Sequence, residues 1–219
     1  TLLIADFGSV RRVAAGTSAV PASKHSVLYR PPEAFGDGGY FDFSSDCYQV
    51  GMIAYLLFGG TLSEVLTDHL RPSHHKELAR LKYLNVPYAD ECEFVDGCLR
   101  EKIEKGTLLD WESIKAFVPR KIVRTLRRAT SRDRRFQDVS EFLAELASVG
   151  TLPDWIQEDK QSWSLRAWKG QDYRLSEDGG DIVVKKRRVG SSKFQTDHAM
   201  SGGNWSLVFN RVAKKLGLP

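Results

Sequence analysis

The sequence predicts a mainly α protein that ends in a small α+β module, and three observations carry that expectation. Apolar residues recur at helical spacing in segment after segment between residues 44 and 147. Beyond residue 151 the pattern turns to short alternating runs punctuated by glycine, as strands and hairpins require. Composition changes at the same place: from Thr151 onward twelve Lys/Arg face eight Asp/Glu, whereas the residues before it balance at twenty each. Four of the five tryptophans (Trp155, Trp163, Trp168, Trp205) also fall in that last third. The expected division is therefore 1–150 and 151–219.

The elements follow in order. "TLLIA" reads as a short apolar strand ending in a polar turn at Asp6 to Gly8, and residues 9 to 28 read as a loop. "SSDCYQVGMIAYLLF" places Val50, Ile53, Ala54 and Leu57 at helical spacing, with Ser44 or Ser45 as cap and Gly59-Gly60 as stop. Apolar nearly all round, it reads as a buried central helix. Residues 62–84 and 90–117 are expected to be mainly helical. "RKIVRTLRRA" sets Ile122, Val123, Leu126 and Ala129 against Arg120, Arg124, Arg127 and Arg128 on the other side. In "DVSEFLAELASVG", Val139, Phe142, Leu143 and Leu146 face inward and Gly150 ends the helix. "SLRAWK", "DYRLSE" and "DIVVKKRRV" are strands, the last two joined by a hairpin at Asp178-Gly179-Gly180. "NWSLVFNRVAKKLG" is a final helix with Trp205, Val208, Phe209 and Val212 on one stripe.

With 219 residues, 42% hydrophobic and 27% charged, the chain has the composition of a globular protein with a sizeable core. Its longest apolar run, Val50 to Phe58, is far too short for a bilayer span, and no basic stretch leads into the apolar start. Cys47, Cys92 and Cys98 form no even set and no C-x-x-C, which points to free thiols in a reducing, cytoplasmic setting, while the short apolar run points to no membrane partner. No internal repeat is visible. His69, His74 and His75 lie close in sequence but fit no zinc spacing, and read as solvated helix-end residues.

Four motifs stand in a fixed order. Asp6-Phe7-Gly8 follows the first strand; "SVLYRPPEAF" follows at 26–35; "SSDCYQVGMIAYLLFGG" at 44–60; and "ATSRDRRFQDVSEFLAEL" at 129–146. Singly each is weak. In this order and spacing, residues 2 to 147 resemble the C-terminal lobe of a serine/threonine protein kinase, from its Asp-Phe-Gly turn through the activation segment and the Ala-Pro-Glu-type motif to the lobe's late helices. The implied fold is a kinase-like helical bundle without its N-terminal lobe. Pro31-Pro32 departs from the family's Ala-Pro, and Ser131-Arg132 from its Asp-Pro.

The resemblance assigns roles by position. Asp6 matches the carboxylate that holds Mg²⁺ on the ATP phosphates, and Gly8 the close turn after it. Glu33 matches the carboxylate that pairs with an arginine of the late helices, for which Arg135 is the candidate; a buried carboxylate needs such a counter-charge. Asp46 matches the acid that braces the catalytic loop, and Ser26, three before Tyr29, the hydroxyl near the substrate peptide. Thr17, Ser18 and Ser23 are candidate activation-loop phosphosites. An intact parent would use Mg²⁺ and ATP to phosphorylate protein hydroxyls.

The Gly-rich loop, strand lysine, partner glutamate and catalytic loop that phosphoryl transfer needs are not found in these 219 residues. The chain alone is therefore expected to be catalytically incomplete and to bind no cofactor. An upstream N-lobe or catalytic-loop segment would be needed, in cis or in trans. "LSEDGGDIVVKK" resembles a Gly-rich loop and strand lysine only faintly: the spacing is short and no glutamate-bearing helix follows Lys185. The alternative reading is a pseudokinase or scaffold. Its basic helix face (eight Lys/Arg against one acid over residues 120–135) and basic tail would bind nucleic acid or an acidic protein.

Overall fold

In the computed structural model the described residues are 10–22, 26–36, 38–115, 117–159 and 161–217. The expected first strand, Asp6, Gly8 and Ser23 lie outside them. The chain divides into two compact units: Thr1–Ile114 with Arg124–Glu145, and Lys115–Val123 with Leu146–Pro219.

In the first unit, β1 (Ala19–Pro21) pairs antiparallel with β2 (Tyr40–Asp42), Val20 opposite Phe41. This ribbon stands partly where a loop was expected. Three-residue strands show no alternation, and the partners are separated by the 3₁₀ turns Val27–Tyr29 and Pro32–Ala34.

Helix α1 (Phe43–Leu57) begins earlier than a cap at Ser44 or Ser45 would place it, because Asp42 is the cap. The Asp42 carboxylate accepts from Ser45 N at 3.0 Å, while Ser45 Oγ accepts from Asp42 N at 3.1 Å, closing a capping box. The expectation of burial all round is corrected. Cys47, Tyr48, Gly51, Met52 and Tyr55 form the buried stripe, whereas Ile53 and Leu57 are 53% and 81% exposed. Periodicity identified a helix here but not its covered side, since apolar residues occupy both. Gly51 lets α1 lie close to its neighbour: a Cβ there would sit 2.8 Å from Ala129 Cβ.

Helices α2 (Pro72–Tyr83) and α3 (Tyr88–Glu104) are shorter than the helical stretches expected. Pro72 sits in the first turn of α2, and residues 66–69 are a separate 3₁₀ turn. Leu28, Tyr48, Met52, Leu99 and Ile103 anchor the core these elements share. Helices α4 (Arg120–Ala129) and α5 (Val139–Ala147) follow. Ile122, Leu126 and Ala129 are buried as the spacing predicts, as is Phe142, but Leu143 is exposed.

The second unit is built on a five-stranded antiparallel meander: β3 (Trp155–Asp159), β4 (Ser162–Trp168), β5 (Gln171–Asp178), β6 (Asp181–Arg188) and β7 (Gln195–Thr196). Gly179 and Gly180, with φ of 61° and 88°, make the two-residue turn between β5 and β6. Helix α6 (Trp205–Leu216) starts at Asn204, whose side chain accepts from Leu207 N at 3.0 Å. Its Val208, Phe209, Val212 and Leu216 pack on Leu165, Tyr173, Leu175, Ile182 and Val184 from one face of the sheet. Phe117 joins this core, its ring 4.7 Å from Trp163 and 5.1 Å from Phe209.

Across the described residues the structure is 42% helix and 18% strand, with six α-helices and two antiparallel sheets. It is a mixed α/β protein, and the mainly α expectation is wrong. The sheet of the second unit extends on both sides of the three strands that alternation revealed. The first of these additions, β3, is polar in its last three residues and forms an edge, so it carries no apolar alternation. No helix among the described residues is long and apolar enough to cross a membrane.

Candidate functional site

Of the sequence candidates that fall within the described residues, Ser26, Tyr29, Glu33, Asp46 and Arg135 gather around the N-terminus of α1, in the first unit. Arg135 Nη1 donates to Glu33 Oε1 at 2.6 Å and Nη2 to Oε2 at 3.0 Å, a two-pronged pair joining residues 102 apart in sequence. The side chains are 4% and 14% exposed. Burial of two charges is costly, and the surrounding donors and acceptors offset that cost. Arg135 Nη1 also donates to Ser44 O at 3.2 Å and Nε to Ser131 O at 3.0 Å, while its guanidinium lies 5.2 Å from the Tyr48 ring centre. Ser45 Oγ donates to Glu33 Oε1 at 2.6 Å. One serine therefore ties the ion pair to the helix cap, a role for which the sequence offered only a cap signal.

Beside this network opens a cleft of about 720 Å³, and Ser26, Tyr29 and Asp46 all line it. Its walls come from the segment after the expected Asp-Phe-Gly turn (Val10, Val20) and from the exposed side of α1 (Phe43, Ile53). The cleft thus accounts for Phe43 and Ile53, which α1 leaves uncovered, but not for Leu57. Asp46 keeps solvent contact at the cleft. Crowding by protein atoms, and secondarily the charge of Asp42, raise its carboxyl above the ordinary aspartate range. Tyr29 Oη donates to Glu64 Oε1 at 2.9 Å. Desolvation first, and this acidic partner second, raise the phenol's pKa. Such a cleft, with an apolar floor and a few hydroxyls and carboxylates, can seat an extended peptide segment.

Thr17 and Ser18 are exposed; Thr17 Oγ1 donates to Ala14 O at 2.9 Å within a turn. The three histidines do not converge: His69 Nε2 contacts Ser63 O at 2.8 Å, and His74 stacks edge-on with Phe94. No group of three or more His, Cys, Asp or Glu placed to hold a metal occurs among the described residues. Cys47 is fully buried, and burial pushes its thiol up to about 11, so it is unsuited to nucleophilic work.

The basic stretch over 120–135 is less available than its composition suggests. Arg135 is consumed by Glu33. Arg128 bridges Glu141 and Glu145 at 2.6 and 2.9 Å, and Arg127 lies 4.9 Å from the Trp111 ring centre. In the tail, "KKRR" sits on β6 and its side chains alternate between the two faces of the sheet. Lys186 pairs with Asp197 at 2.7 Å on the face that packs against α6, and Lys215 of α6 shares that carboxylate at 3.0 Å. Arg187, on the opposite face, pairs with Asp172 at 3.0 Å. Compared with known proteins, the chain matches no protein-family model, no curated protein and no solved structure.

Proposed function

We propose that residues 26–147 are the activation-segment end and lower helices of a protein kinase-like domain of the serine/threonine type. The observation that carries this reading is the buried Glu33–Arg135 pair. It joins the two motifs in the way the resemblance requires, although composition and periodicity give no reason for residues so far apart to meet. In this reading the cleft beside Ser26, Tyr29 and Asp46 is where the activation segment meets both a substrate peptide and the catalytic loop. Asp46 braces that loop, Thr17 and Ser18 are phosphorylation targets on the segment, and Asp6 holds Mg²⁺ against ATP. The Gly-rich loop, strand lysine and catalytic base come from residues that these 219 do not contain.

The test is phosphoryl transfer from radiolabelled Mg-ATP to a protein substrate by the full gene product, compared with its Asp6→Ala variant. A His-Arg-Asp-type loop encoded shortly before Asp6, together with transfer that the variant abolishes, is the expected result. A gene product with no such loop, or transfer indifferent to Asp6, overturns the catalytic reading in favour of a non-catalytic module. The 219 residues alone are expected to show no thermal shift with Mg-ATP. A magnesium-dependent shift would contradict the missing-site argument.

A further inference from the structure

The second unit covers one face of its sheet with α6 and presents a different chemistry on the other. Strand register places Ile156, Ser164, Arg174, Lys185 and Thr196 side by side in one row across all five strands. This row lies on the face away from the apolar core, because the core residues Leu165, Tyr173, Leu175 and Val184 occupy the alternate positions. Arg174 and Lys185 are therefore direct cross-strand neighbours of like charge, an arrangement that works against sheet stability. Arg187 stands one position pair along the same strand, opposite Asp172.

The Phe194 ring completes the arrangement. The Arg187 guanidinium lies 4.5 Å from its centre and that of Arg174 5.2 Å, so two cations lie beside one aromatic ring. Glu158 and Asp172 take one arginine each, but the Arg174–Glu158 contact is loose at 3.4 Å and half exposed. The Lys185 side chain is exposed and makes no hydrogen bond or ion pair among the described residues. A second, independent feature marks the same row. Ser164, only 7% exposed and opposite Arg174, has a buried hydroxyl with no hydrogen-bond partner.

We infer that this face, through Arg174, Lys185, Arg187 and Phe194, binds single-stranded nucleic acid. Neighbouring strands place Arg174 and Lys185 side by side on this face, with Arg187 on the same face, and several cations on one face suit a repeating anion better than a single carboxylate. Guanidinium forks match phosphate oxygens, and the Phe194 ring beside two guanidiniums offers bases a stacking surface that the carboxylates of an acidic peptide do not use. The unpartnered Ser164 hydroxyl offers a further donor once Arg174 turns outward to a phosphate. The like-charge cost of Arg174 beside Lys185 is then compensated in the bound state. This inference rests on the second unit alone and is independent of the kinase-like reading.

The experiment is fluorescence anisotropy of the full chain with a labelled 12-nucleotide RNA, at several salt concentrations. Binding is expected at low salt, with log K falling linearly in log salt. The slope should be about −0.7 per neutralised phosphate and should weaken by about 1.4 in Arg174→Ala/Lys185→Ala. Phe194→Leu is expected to lose about tenfold in affinity through lost stacking, whereas Lys214→Ala on α6 keeps the parent affinity. Thermal denaturation separates binding from folding: the double variant relieves the like-charge contact but loses the loose Arg174–Glu158 and Arg174–Phe194 contacts, and should remain fully folded at the binding temperature. No binding at low salt overturns the inference, as does undiminished binding by the double variant. Equal affinity for polyglutamate, or for vesicles of anionic lipid, also overturns it and would make the face a general polyanion surface.

Discussion

Arg135 and Glu33 meet through two hydrogen bonds of 2.6 and 3.0 Å, with Ser45 Oγ donating to the same carboxylate. Removing one charge leaves the other buried without its counter-ion. Glu33→Ala or Arg135→Ala is therefore expected to cost about 3–5 kcal/mol, measured by denaturant unfolding. Glu33→Gln/Arg135→Met, which removes both charges and keeps the volume, should recover most of that loss. Single variants within about 1 kcal/mol of the parent would show that the pair is structurally idle.

Asp46 makes a prediction of opposite sign. Its folded pKa is raised, by desolvation first and by Asp42 second. The ionised form is thus disfavoured by folding: no penalty exists below the unfolded pKa, and the penalty grows as pH rises through the folded pKa. Asp46→Asn should raise the melting temperature at pH 7 and leave it unchanged near pH 3, where the parent carboxyl is protonated. A variant that melts lower than the parent at pH 7 would refute this account.

What the sequence made legible follows from the kind of signal each feature leaves. Ile122, Leu126 and Ala129 are buried where helical spacing puts them, because charge fills the other side of α4. Ile53 and Leu57 defeated the same reasoning: on a helix apolar on both sides, only tertiary packing decides which is covered. The Glu33–Arg135 contact could be anticipated only from motif order, since nothing local links residues 102 apart. The β1–β2 ribbon and β3 were missed because three-residue and edge strands carry little alternation. Period-two reading of "KKRR" would have separated Lys186 from Lys185 and Arg187. Nothing in the sequence, however, marks Ser164 as unpartnered or Phe194 as lying beside two arginines.

The three cysteines should separate by reactivity. Cys92 is exposed, Cys98 is partly covered, and Cys47 is buried. Burial dominates the rise of the Cys47 thiol to about 11, outweighing the charge of Arg135. At pH 8 its thiolate fraction is on the order of a thousandth, and reagent access is blocked as well. A disulfide reagent should give one fast phase that Cys92→Ser abolishes, with Cys47 reacting only after denaturation. A fast phase that persists in Cys92→Ser and disappears in Cys47→Ser would contradict the packing of α1.

Asp197 ties the sheet of the second unit to its helix, and its titration sets the acid limit of that tie. Burial of the carboxyl favours its neutral form, but hydrogen bonds from Lys186 and Lys215 outweigh burial and leave the pKa lowered. A depressed carboxyl pKa contributes stability that is complete above the unfolded value of about 3.9 and fades as pH falls through the lower folded value. Lys186 shifts the other way, raised above 10.5 chiefly by its bond to Asp197, so its share is lost only as pH climbs past that point. Between these limits the β6–Asp197–α6 link should be insensitive to pH. Asp197→Asn keeps the side-chain volume but not the charge, and both lysines are exposed enough to regain water. The expected loss is therefore about 1–2 kcal/mol at pH 7, shrinking as pH falls through the lowered folded pKa and the parent carboxyl also becomes neutral. Thermal melts of parent and variant from pH 2.5 to 9 make the comparison. Parallel curves throughout would mean that the lysines hold Asp197 by geometry alone and that its charge contributes nothing.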